Sequence, residues 1–168
     1  MKNIILIGMM GCGKTTVGGL LAQKLNRVQL DTDALIEARE SRAVAAIFAA
    51  EGEGYFRARE LDISRELSES TDLIVSCGGG LPLQADAVNA LKATGVVFWL
   101  NRDPAATYDK LDTSGRPLAQ EGKAAFIARC EQRAPIYRAA AHHIIDCSRG
   151  ADAAAEHILQ LCKEEGLA

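Results

Sequence analysis

A chain of 168 residues has room for one compact domain and excludes a second of ordinary size. Hydrophobic residues at 48% and charged residues at 24% exclude a disordered chain, and a net charge of -3 leaves no broad basic field for nucleic acid or an anionic membrane. No run approaches the roughly 18 apolar residues needed to cross a bilayer, and the opening Met1–Gly11 segment is broken by glycine before it resembles a secretory signal. Five cysteines, an odd number without C-x-x-C spacing, read as reduced thiols, so a soluble cytoplasmic protein is expected. A monomer is the expected state.

The first predicted strand, Ile4–Ile7, runs into Gly8-Met9-Met10-Gly11-Cys12-Gly13-Lys14-Thr15, followed by helical spacing at Val17, Leu20, Leu21 and Leu25. This fits G-x-x-x-x-G-K-[ST] in the strand-to-helix setting that the motif requires. Glycines let successive N–H groups turn in on phosphate oxygens, and the helix N-terminus adds partial positive charge. Gly11, Cys12, Gly13, Lys14, Thr15 and Thr16 are therefore the candidate ATP-binding residues, with the Lys14 ammonium on the outer phosphates and the Thr15 hydroxyl on Mg2+.

A second short strand, Val28–Leu30, ends in Asp31-Thr32-Asp33, where one carboxylate suits a metal and the other an acceptor. An ordinary helix cap explains the same pair equally well. From Asp33 to Ser70 the pattern reads as several helices inserted between strands, with Arg39, Arg42 and Arg65 on solvated helix faces. The third strand, Leu73–Val75, lacks the strand-end aspartate of many phosphate-loop proteins and leads instead to Gly78-Gly79-Gly80, which lets a partner pack on bare backbone. Gly95–Leu100 and Ile144–Ile145 complete the alternation of strand and helix, which predicts a parallel sheet covered on both faces. Ligands of such sheets bind beyond the strands' C-terminal ends, so the phosphate loop, the carboxylate pair and the glycine triplet are expected to share one cleft.

Leu111–Lys123, polar and carrying Gly115, Pro117 and Gly122, suits a mobile loop in which Arg116 would close over a transferring phosphate. Pro135 is expected to interrupt the helix where Arg133 projects. Pattern alone favours a surface charge for Arg57, Arg116 and Arg133 alike. The three histidines offer no metal or catalytic spacing, and the lack of Gly-x-Ser-x-Gly argues against a hydrolase. Asn101-Arg102-Asp103 is not the Asn-Lys-x-Asp of a guanine reader.

In fixed order, the stretch Leu6–Gly18, Asp31-Thr32-Asp33, Gly54-Tyr55-Phe56-Arg57, Gly78-Gly79-Gly80, Arg116-Pro117-Leu118 and Arg133-Ala134-Pro135-Ile136-Tyr137 resemble the shikimate kinase family over nearly the whole chain. The resemblance implies a P-loop three-layer α/β fold of nucleoside-monophosphate-kinase type, with a five-stranded parallel sheet in a single domain. It also implies a helical substrate-binding insertion at about 33–60 and a lid at about 111–123. The implied reaction is MgATP-dependent phosphorylation of the 3-hydroxyl of shikimate; gluconate or a nucleotide is the alternative acceptor. By position, Asp33 would meet the acceptor hydroxyl, Arg57 and Arg133 the substrate carboxylate, Gly79 and Gly80 the ring, Asp31 the Mg2+, and Arg149 the adenine. Lys14, Asp33 and Arg116 would be the catalytic set. Asp109 departs from the family pattern, standing where many members have arginine.

Overall fold

The computed structural model describes residues 1–111 and 121–167, so most of the expected lid, Arg116 included, lies outside the described residues. Five strands, β1 (Asn3–Ile7), β2 (Val28–Asp31), β3 (Leu73–Ser76), β4 (Gly95–Asn101) and β5 (His143–Asp146), form one parallel sheet in the order β2-β3-β1-β4-β5. Inner strands buried on both faces should read as continuous apolar runs, and β1 and β4 do so. Ile4 lies opposite Ile74 and Val96, and Leu6 opposite Ser76 and Phe98. The edge strands leave Val28 and Ile144 exposed.

Seven α-helices stand among the described residues: α1 (Lys14–Leu25), α2 (Thr32–Glu40), α3 (Val44–Leu67), α4 (Ala85–Thr94), α5 (Pro104–Asp109), α6 (Lys123–Ala140) and α7 (Ala151–Glu164). Alternate side chains of a strand point to opposite faces, which divides the core in two. Ile4, Leu6 and Phe98 meet Leu21 of α1 and Ile158 of α7. On the other face Ile5, Ile7 and Trp99 meet Ile36, Ile63 and Phe126 from α2, α3 and α6. The insertion expected as several helices is α2 plus α3, the latter kinked at Gly52, whose φ of 81° and ψ of 175° are not helical.

Two local expectations are corrected. The helix carrying Arg133 is not interrupted, because α6 continues through Pro135 to Ala140. Proline there removes one N–H and with it the bond to the Glu131 carbonyl, and both residues are exposed, so water can satisfy what the ring forfeits. Arg42 stands in the connection between α2 and α3, not on a helix face, and pairs with Glu40 and Glu51.

Candidate active site

The loop after β1 turns on two glycines for different reasons. A Cβ on Gly8 would lie 2.6 Å from Cys12 Sγ and 2.8 Å from the Leu100 carbonyl, so the close approach of neighbours demands glycine. Gly13 sits at φ 101°, in the left-handed region, and no side chain caps α1, which leaves the helix's first N–H groups open to an anion. Lys14 Nζ rests 2.7 Å from the Gly8 carbonyl and 3.0 Å from that of Met9, at the mouth of the same loop. Cys12 is buried beside it, and Thr15 and Thr16 are exposed on the first turn of α1. That turn is moored to the sheet by Gln29 Nε2 on the Thr15 carbonyl at 3.0 Å and by Ser76 Oγ on the Lys14 carbonyl at 3.4 Å.

Asp31 ends β2 and caps α2, its Oδ1 accepting the Ala34 N–H at 3.0 Å. The capping reading of the acidic pair holds at Asp31, and capping engages only one of its oxygens. Thr32 is buried, and its Oγ1 accepts the Gly78 N–H at 2.9 Å, which joins the ends of β2 and β3.

The glycine triplet lies where the strands' C-terminal ends meet the expected site, and each glycine faces a different expected site residue. A Cβ on Gly78 would meet the Asp33 carboxylate, with Cγ at 3.0 Å, and one on Gly80 the Arg57 guanidinium, with Cζ at 2.7 Å. At Gly79 the nearest atom is Arg133 Nη1, at 3.7 Å. Asp33, Arg57 and Arg133, from α2, α3 and α6, are thus brought together over three residues of bare backbone, as expected. Arg149 is not brought there: it stands exposed in the turn after β5, and among the described residues it makes no hydrogen bond or ion pair with the phosphate loop. Asp109 forms an ion pair of 2.7 Å with Lys123.

Burial dominates the electrostatics. It raises the Asp33 carboxyl to about 6, assisted by the charge of Asp31 and opposed by Lys14. Asp33 Oδ1 is buried and has no hydrogen-bond partner among the described residues. Arg57 donates to Glu60 Oε2 at 2.5 Å, and Gln84 Nε2 donates to the same oxygen at 3.0 Å. Burial nonetheless pushes Glu60 up to about 7.

The family model for shikimate kinase matches residues 10–163. The chain belongs to the shikimate kinase family. It is 40% identical over 171 residues to a shikimate kinase of Symbiobacterium thermophilum, covering 98% of each chain. To that of Pelotomaculum thermopropionicum it is 39% identical over 167 residues, covering 98% of this chain and 97% of the other. Its fold is similar to that of shikimate kinase from Acinetobacter baumannii in complex with shikimate, with a TM-score of 0.90, 37% identity, and coverage of 100% of this chain and 96% of that one.

Three residues of the site escape sequence reasoning. Glu60 is one turn beyond Arg57, a spacing that permits an ion pair, but its near-complete burial is a tertiary fact. Tyr137 lies four residues after Arg133, on the same helix face, and its hydroxyl reaches the Gly79 carbonyl at 2.5 Å. Thr32 carries no signal, being masked by the two aspartates that flank it.

Proposed function

We propose that the chain transfers the γ-phosphoryl group of ATP to the 3-hydroxyl of shikimate, in the cytoplasm and as a monomer. The observation that carries this reading is the buried, unpartnered Oδ1 of Asp33, lying against bare glycine backbone and within the field of Lys14 and Arg57. A carboxyl at about 6 is ionised at neutral pH, so that oxygen accepts the hydrogen bond of an acceptor hydroxyl and orients it toward the transferring phosphorus. Arg57 and Arg133 hold the acceptor's carboxylate, since two planar guanidiniums fix such a group more tightly than ammoniums do. Gly79 and Gly80 offer their backbone to the ring.

The phosphates lie along the loop N–H groups of Gly11–Thr16, and Lys14 and Arg116 balance the charge that spreads over the equatorial oxygens in a loose transition state. Thr15 and the second oxygen of Asp31 are hard oxygen donors, and they suit Mg2+ entering with the nucleotide. When bound, the cation draws charge from the phosphate oxygens. Arg149 covers the adenine. The lid around 111–123 excludes competing water, and 33–60 forms the acceptor wall of a single domain. The family match and the relatives favour shikimate over gluconate or a nucleotide. The five unpaired cysteines suit a reducing compartment, and among the described residues no helix is long and apolar enough to cross a membrane.

The test is ADP release that depends on added shikimate. Asp33→Asn should lower turnover by about 10²–10⁴-fold, the range for a lost proton-handling group. Absence of shikimate-dependent release by the parent overturns the reaction; an unimpaired Asp33→Asn overturns the role of the carboxylate.

A further inference from the structure

Tyr137 is 1% exposed and packs edge-on against Trp99, with ring centroids 5.9 Å apart. Its ring belongs to the core, but its hydroxyl leaves the core for the floor of the cleft. There it donates to the Gly79 carbonyl at 2.5 Å and lies 3.2 Å from Met9 Sδ, in the phosphate loop. Arg133 Nη1 approaches the same sulfur at 3.8 Å. Burial raises the phenol to about 12, so its proton stays in place and the group remains a donor across the working pH range.

The peptide unit that this hydroxyl grips is a special one. It joins two glycines, so no side chain restrains its rotation, and such a unit reorients more cheaply than any other. Because the unit is planar and trans, holding the Gly79 oxygen on one side sets the direction of the Gly80 N–H on the other. The neighbouring polar groups are already engaged, with Gly78 N–H on Thr32 and the Gly78 carbonyl accepting Leu81 N–H at 3.1 Å. The N–H groups of Gly79 and Gly80 have no protein acceptor among the described residues. A carbonyl held by a hydroxyl also polarises its peptide, which strengthens the N–H at the far end as a donor.

We propose that Tyr137 is a positioning residue for the acceptor: by holding the Gly79 carbonyl it fixes the Gly79–Gly80 peptide, so that the Gly80 N–H is presented to an oxygen of shikimate. The inference rests on the proposed function, because it needs shikimate over the glycine floor. It assigns to α6 two tasks one turn apart, with Arg133 gripping the acceptor directly and Tyr137 acting through the backbone.

Tyr137→Phe isolates the hydroxyl, since the ring stays against Trp99. The expected result is a rise of about tenfold in the shikimate KM, the size of one unpaired hydrogen-bonding group. Shikimate affinity measured by calorimetry without ATP should fall in step. Turnover at saturation and the KM for ATP should stay within about twofold, and Tm within a few degrees. A merely structural role would lower Tm and raise both KM values together, and that outcome overturns the proposal. So does a shikimate KM within about twofold of the parent value. If the parent neither binds nor phosphorylates shikimate, the proposed function falls and this inference with it; an active parent with an indifferent Tyr137→Phe sinks this inference alone.

Discussion

Arg57 stands in the field of two buried carboxyls, and their protonation should be visible in both activity and stability. Asp33 is held at about 6, so under the proposed role of its carboxylate kcat/KM for shikimate should fall as pH drops through 6. A profile measured from pH 5 to 8 checks this, and a flat acid side would refute it. Glu60 works in the opposite direction on stability. Its folded value of about 7 lies above the ordinary 4.5, so the folded state holds the proton more tightly than the unfolded chain. The resulting stabilisation is complete below 4.5 and is lost as pH rises through about 7. Glu60→Gln removes the titration while keeping an oxygen for Arg57 and Gln84, so its Tm should vary less with pH over that window than that of the parent.

At the scale of elements, the glycine triplet and the last strand pair make separate predictions. Methyl groups at Gly79 and Gly80 meet different surroundings, and the difference is testable. At Gly80 the group would overlap the Arg57 guanidinium, whereas at Gly79 every neighbour lies at 3.7 Å or more. Gly80→Ala should therefore displace Arg57 and raise the shikimate KM by at least about tenfold, the effect of weakening one charged hydrogen bond. Gly79→Ala should leave Tm unchanged within a degree or two, so any loss it causes arises from the methyl intruding on the acceptor. The join of β4 to β5 depends on His142, whose ring Nδ1 accepts the Val97 N–H at 2.8 Å while the His142 backbone N–H donates to the Val97 carbonyl at 2.8 Å. Burial lowers its pKa below 6.5, helped by the charges of Lys92 and His143 and opposed by Glu165. A lowered value means that the stabilisation is present above 6.5 and is lost as pH falls below it, because the protonated ring cannot accept. His142→Asn, which offers an oxygen with no titration, should flatten that acid loss in thermal melts.

Across the whole molecule, the candidate site and the fastening occupy opposite ends of the parallel sheet. Beyond the strands' C-terminal ends lie the phosphate loop, Asp33 and the glycine triplet. At the N-terminal ends, the nearly buried Arg27 side chain pairs with Asp72 at 2.9 Å, donates to the Lys2 carbonyl at 3.1 Å and to the Leu167 carbonyl, and so ties the first and last described segments together. Asn3, fully buried, binds the Ser70 carbonyl at 2.8 Å and accepts the Leu73 N–H at 2.9 Å. Arg27→Ala should cost about 2–3 kcal/mol in denaturant unfolding, as expected for loss of charged hydrogen bonds, with kcat and both KM values unchanged. Neither Arg27 nor Asn3 carries a signal in the chain, since each resembles an ordinary polar residue until the neighbours that close over it are known. The strands and the phosphate loop were legible because they obey local rules: β-branched runs, helical spacing and a glycine pattern whose chemistry lies within eight consecutive residues. The continuity of α6 through Pro135 was not, because it depends on whether solvent reaches one carbonyl. By itself the sequence determined a parallel α/β sheet, a phosphate grip and a family, all of which follow from short-range pattern and ordered motifs. Only the tertiary structure decided that Gly78, Gly79 and Gly80 each face one candidate site residue, that Glu60 is buried with Arg57, and that the Tyr137 hydroxyl holds the Gly79 carbonyl, because burial and close approach arise between segments far apart in the chain.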